Sequence, residues 1–126
     1  MYECLYWPGR CVAVRVAMIW HLGISTGQGT VITATPTHGV VELPWQVFAK
    51  GRTIYDRGYP SKLSPMQVVA NARVQIGRPY CLFSNNCDHL VREAHDLKRE
   101  SPQLKTWAAV GLLVATAVFV ARKARA

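Results

Sequence analysis

The sequence predicts an α+β fold: a small antiparallel β-sheet packed with helices, followed by a C-terminal hydrophobic helix. Three observations carry the prediction. Residues 11–55 hold short, alternating apolar segments divided by turn signals, the pattern of sequential strands. Residues 64–100 hold two segments with polar caps and apolar residues at helical spacing. Residues 107–121 are apolar and uncharged, and Arg122-Lys123-Ala124-Arg125-Ala126 follows them.

Trp7-Pro8-Gly9 is a turn signal, so the first ten residues are expected to be loop. Cys11 to Val16 alternates as a strand, and Met18 to Ser25 predicts a second, with Trp20, Leu22 and Ile24 on one face and His21, Gly23 and Ser25 on the other. Thr26 to Thr30 turns the chain into a third strand, Val31 to Thr35. If Gly27-Gln28-Gly29 is the hairpin loop, Thr26 pairs with Thr30 and His21 lies opposite Thr35. Thr33 is then the diagonal neighbour of His21 on the same face, roughly 7–8 Å away. Gly23 is expected to leave room beside the imidazole. Pro36-Thr37-His38-Gly39 is a further turn, Val40 to Leu43 a strand stopped by Pro44, Trp45 to Ala49 a helical turn ending at Gly51, and Arg52 to Tyr55 a last strand.

Ser64-Pro65-Met66-Gln67 is a capping box with Pro65 at the first helical position. Val68, Val69, Ala72 and Ile76 make that helix's apolar face, and Gly77 is expected to end it. A second helix follows the polar turn Ser84-Asn85-Asn86. Asn86 is its expected cap, Cys87 its first residue, and Leu90, Val91, Ala94 and Leu97 its buried face, running to about Glu100. Ser101-Pro102 breaks the pattern. The expected organisation is a domain over residues 1–100, a linker over 101–106 and a membrane-anchor helix with a basic end over 107–126. Trp107 at one end and cations at the other are anchor features. Residues 107–121 span roughly 22 Å as a helix, short of the ~30 Å hydrocarbon core, so Thr106 and the stems of Lys105 and Arg122 would extend them. The alternative is a terminal core helix, which should show a polar face that this segment lacks.

One domain, or one domain plus an appendage, is what 126 residues, half of them hydrophobic, allow. The formal charge of +8 suits an anionic membrane surface at least as well as nucleic acid. No dense basic run interleaved with aromatics is present, which argues against a nucleic-acid partner. Cys4, Cys11, Cys81 and Cys87 form no CxxC pair, which argues against a zinc ribbon or a thioredoxin-like motif, and no metal or cofactor is expected. Met1-Tyr2-Glu3-Cys4 is not a secretory start, so reduced thiols and a cytosol-facing domain are expected.

Nucleophilic cysteine catalysis needs a thiolate, an imidazole that shuttles protons and a group that orients the imidazole. Cys87 at a helix N-terminus is placed where the macrodipole favours the thiolate; the alternative is a small buried hydrophobe. His21 on its strand meets Cys87 if the helix packs across the sheet, and the first amides of the helix would form an oxyanion hole. His95 is expected to be a solvated helix residue.

Asn86-Cys87-Asp88-His89-Leu90-Val91 resembles the Asn-Cys-Glu-His-Phe-Val box of the lecithin:retinol acyltransferase (LRAT)-like proteins, which include the small phospholipase A/acyltransferases. His21-Leu22-Gly23-Ile24-Ser25-Thr26-Gly27 is similar to their histidine strand, and a Ser-Pro helix stands between the two boxes as it does there. The resemblance implies a permuted papain-like fold with Cys87 as nucleophile and His21 as general base. The family's second histidine falls at position 33, where this chain has Thr33, whose hydroxyl would accept the bond that orients His21; His38 is the alternative. Asn86, Asp88 and His89 would be supporting residues of the site, although His89 also suits a purely structural hydrogen bond. The implied activity is acyl transfer or hydrolysis on phospholipid esters through a Cys87 acyl-enzyme, by a protein held at the membrane. A cysteine peptidase or amidase of the same architecture, or a non-catalytic membrane-tethered module, are the alternatives.

Overall fold

The computed structural model describes residues 3–82 and 86–125. Five antiparallel strands, β1 (Cys11–Val16), β2 (Ile19–Ser25), β3 (Thr30–Thr35), β4 (Gly39–Pro44) and β5 (Tyr55–Gly58), form one sheet in the order β4-β3-β2-β1-β5. The α+β class is therefore the one the sequence predicts. The β2–β3 register pairs Gly23 with Thr33, Ile24 with Ile32 and Ser25 with Val31, and the Thr26 amide donates to the Thr30 carbonyl. This is the register expected from the Gly27-Gln28-Gly29 loop. Period-two alternation then assigns the faces. Cys11, Ile24, Ile32, Ala34 and Val40 pack under α2 (Pro65–Val74) and α3 (Cys87–Ala94), through Val68, Ala72, Leu90, Val91 and Ala94. Val12, Val14 and Val31 point to the other face, where Cys4, Leu5, Phe48, Ala49 and Ile54 cover them. Those come from a short 3-10 turn, Glu3–Tyr6, within the expected loop, from α1 (Trp45–Ala49) and from the segment after it.

Three boundaries differ from expectation. The last strand lies at Tyr55–Gly58 instead of residues 52–55, because it is placed by pairing with β1 and by the Arg10–Asp56 ion pair at 2.7 Å. Ser64 caps α2 through its hydroxyl, which accepts from the Gln67 amide at 3.2 Å, but the Gln67 side chain turns to Asn71 instead of closing the box. The helix ends at Val74 and leaves Ile76 43% exposed, since Gly77 (φ +94°) donates its amide to Val40 of the sheet.

The helix α3 stops at Ala94, well before Glu100. His95 is buried, and Asp96 takes the left-handed conformation (φ +56°). The amides of Asp96 and Leu97 then bond back to the carbonyls of Glu93 and Arg92, the paired bonds of a Schellman cap with Asp where Gly is usual.

The expected linker is the start of α4, a continuous 24-residue helix, Pro102–Arg125. The Ser101 hydroxyl accepts from the Leu104 amide at 3.1 Å and so caps it. None of its residues is buried, which removes the core-helix alternative. At ~1.5 Å per residue it is roughly 36 Å long. With a mean hydropathy of 1.9 over its most apolar window, it is long and apolar enough to cross a membrane.

Candidate active site

Asn86 and Cys87 are where the sequence predicts them. The Asn86 side-chain oxygen accepts from the amides of Asp88 (2.9 Å) and His89 (3.2 Å), satisfying two orphan donors of the first turn of α3. His89 Nδ1 accepts in return from the Asn86 amide at 3.1 Å. His89 is thus a structural member of a capping box, and burial, then the Arg99 charge, hold its ring pKa below the ordinary value. Ser84 and Asn85 of the expected polar turn lie outside the described residues.

The Cys87 thiol donates to the Trp20 carbonyl at 3.8 Å, and the Leu22 backbone stabilises its anion. Burial outweighs this and the helix-terminal amides, and pushes the thiol up to about 11, against the lowering expected from a helix N-terminus alone. In this state Cys87 is a protonated thiol. Cys11, in the core beneath, is pushed up to about 12, again chiefly by burial. No disulfide joins Cys4, Cys11, Cys81 or Cys87.

His21 is half-buried. Its ring stacks on Phe48 with centroids 5.2 Å apart, and its Nε2 lies 3.2 Å from the Thr33 hydroxyl oxygen. That hydroxyl spends its single proton on the Leu22 carbonyl at 2.7 Å, so towards His21 it can only accept. Nε2 therefore carries the ring hydrogen, and Nδ1 is left as the unprotonated nitrogen. Burial, followed by the charges of Lys50 and Arg52, lowers the ring's pKa and keeps it neutral. Gly23 does not leave a space beside the imidazole; a β-carbon there would collide with Val31, so glycine permits this close packing. His38 stays in its exposed turn, bonded to Thr37 at 2.8 Å, and does not join His21.

Alternation along β2 turns Leu22 and Ile24 towards α3 and His21 towards Phe48. The thiol accordingly meets β2 at the backbone of the residues on either side of His21. Among the described residues no hydrogen bond joins Cys87 to His21. A cavity of about 210 Å³ opens along α3, lined by Cys11, Trp20, Leu22, Val91 and Leu97, with Arg57, Asp88 and Arg92 in its wall; Cys87 does not line it. Among the described residues no group of three or more His, Cys, Asp or Glu side chains converges as metal ligands would.

Asp88 has a role that sequence reasoning missed. Its buried carboxylate accepts from the Ser101 hydroxyl (2.6 Å) and from the Gln103 amide (3.3 Å) and side chain (3.2 Å). The Gln103 side chain also bonds both backbone groups of Trp20, accepting from its amide at 2.7 Å and donating to its carbonyl at 2.8 Å. The start of α4 is thereby tied to the strand that holds His21 and to the carbonyl that receives the Cys87 thiol. The signal available in the sequence was the Ser-Pro start at 101–102, the same as at Ser64-Pro65. Replacing Asp88 by Ala removes a charged acceptor from three donors. It should lower stability by about 2–3 kcal/mol and speed hydrogen exchange at Gln103 and Leu104; unchanged exchange there would show that the carboxylate does not hold the tail.

No protein-family model matches the chain, and no curated protein matches it.

Proposed function

We propose that this protein is a membrane-tethered thiol acyltransferase or phospholipase-type hydrolase, similar to the LRAT-like enzymes, that acts on acyl esters of phospholipids. The observation that carries the reading is the site's layout around β2. Cys87, first residue of a capped helix, rests against the backbone flanking His21, whose ring Thr33 holds on the opposite face of the sheet with Nδ1 unprotonated. The cavity along α3, lined by Trp20, Leu22, Val91 and Leu97, suits an acyl chain, and α4 suits a substrate that resides in the bilayer.

The proposed reaction requires the β2 backbone at His21 to turn over, because strand alternation otherwise keeps the ring on the face opposite Cys87, stacked on Phe48 and bonded to Thr33. Nδ1 takes the Cys87 proton as the sulfur attacks the ester carbonyl, and the oxyanion is held by amides at the start of α3. Collapse expels the lysolipid alkoxide, which receives the proton from His21, and leaves an acyl thioester on Cys87. Water, or an amine or alcohol acceptor, then attacks the thioester with His21 again as base.

The second reading is a membrane-tethered module without turnover. It is favoured by the protonated thiol and by the absence of a Cys87–His21 hydrogen bond among the described residues. One experiment separates the two. The full chain is incubated with phospholipid vesicles and its intact mass measured after acid quench. A single acyl adduct that maps to Cys87 and disappears in Cys87→Ala is expected. An unmodified chain, with Cys87 alkylated no faster with vesicles than without them, would sink the enzyme reading and leave the module.

A further inference from the structure

The tip of the β1–β2 hairpin is apolar and stands clear of both core layers: Val16 is 38% exposed, Met18 69% and Ile19 51%. At its base the Trp20 ring is flanked by the guanidinium groups of Arg57 (5.0 Å) and Arg15 (5.5 Å) and met edge-on by Tyr55 (5.3 Å). An apolar tip above an aromatic ring and two cations is the composition of a membrane–water interface: apolar groups enter the acyl boundary, the indole sits at headgroup level, and cations meet lipid phosphates.

Composition alone would not say what covers this tip. A second, independent observation does. The Gln103 side chain bonds both backbone groups of Trp20, so the base of the hairpin is fixed to the first turn of α4. Gln103 and Trp107 are four residues apart on that helix, about 6 Å along its axis at ~1.5 Å per residue. A bilayer that receives α4 from Trp107 onward therefore brings its headgroups to the hairpin base. The surface within reach of Arg15 and Arg57 is then lipid phosphate.

We infer that the β1–β2 hairpin tip is a second membrane contact, in which Met18 and Ile19 enter the interface of an anionic phospholipid bilayer while Arg15 and Arg57 engage lipid phosphates. The inference rests on reading α4 as a membrane span. Two attachment points fix the domain's rotation about the tail, which a single helix does not. They also turn towards the lipid the wall of the cavity that Trp20 and Arg57 share.

The test uses the full chain in phosphatidylcholine–phosphatidylserine vesicles, with Cys81→Ser and Cys87→Ala so that a single introduced cysteine takes an environment-sensitive fluorophore. Positions 18, 113 and 66 are labelled in turn through Met18→Cys, Leu113→Cys and Met66→Cys; Met66 is 83% exposed on α2. Quenching by nitroxide lipids is expected at 113 from deep nitroxides and at 18 from shallow ones, with none at 66. The signal at 18 should fall when Arg15→Glu and Arg57→Glu are combined, or when phosphatidylserine is omitted. Quenching at 113 with position 18 as silent as 66 overturns the hairpin contact and leaves the tail reading standing. No quenching at 113 overturns both. Quenching at 18 that ignores charge reversal and lipid charge overturns the phosphate contacts.

Discussion

On the proposed function, Cys87→Ala is expected to reduce acyl transfer from phospholipid by about four to six orders of magnitude in kcat, with the residual rate coming from binding and the amides of α3. The chain should remain folded. The alanine keeps the helix-start backbone, and the Asn86 cap that organises α3 does not involve the sulfur. A stability change within about 1 kcal/mol is therefore expected. His21→Gln should cause a comparable loss, because without the imidazole base the thiol stays protonated at neutral pH, its pKa being pushed up to about 11 by burial. Turnover by purified Cys87→Ala at a rate near that of the unmodified protein would remove the thiol from the mechanism, and with it the proposed function.

The largest loss of stability is expected at His95, which the sequence offers no reason to single out. Its ring is 1% exposed and bridges the Ser61 hydroxyl at 2.6 Å and the Gly9 carbonyl at 2.7 Å. A carbonyl can only accept, so Nε2 carries the hydrogen and Nδ1 accepts from Ser61. The geometry is that of a serine–histidine pair, but both ring nitrogens are occupied and the ring is sealed in, so it pins the end of α3 to the loop before β1. His95→Ala leaves the Gly9 carbonyl without its ring partner in the interior, takes one partner from the Ser61 hydroxyl and opens a cavity, a cost of about 3–5 kcal/mol. That is a large share of the ~5–15 kcal/mol that holds a domain together. A urea midpoint close to that of the unmodified chain would refute it.

The same burial makes folding sensitive to acid. The ring pKa values of His21, His89 and His95 are all lowered from 6.5, and burial is the leading cause in each. Below the unfolded value the denatured chain binds protons that the native rings refuse, so stability falls with pH. The contribution is fully present above about 6.5 and is lost as pH drops through that value towards the lowered native ones. Urea midpoints measured at a series of pH values should decline over that window, less steeply in His95→Ala. Equal slopes in the two proteins would take His95 out of the effect.

Much of this molecule was legible because it is local. The three-residue loop between Thr26 and Thr30 sets the register that puts Thr33 diagonal to His21, and their 3.2 Å contact follows from it. Asn86 and Ser64 cap their helices because a side-chain oxygen of that reach, one residue before the first turn, finds orphan amides regardless of what the helix packs on. The tail declares itself by lacking any polar face. What failed to appear depended on groups distant in the chain. The sequence suggested that α3 would bring Cys87 to the imidazole, but α3 covers the Leu22–Ile24 face, with His21 turned to Phe48 on the other.

On its own, then, the sequence determined the α+β class, the hairpin register, the two capped helix starts and the exposed apolar tail, since neighbours along the chain decide them. Only the tertiary structure decided the ionisation of Cys87, the burial of His95 and the attachment of Gln103 to Trp20. Desolvation and long-range hydrogen bonds depend on what the fold brings alongside each group, and periodicity in the sequence carries no record of that.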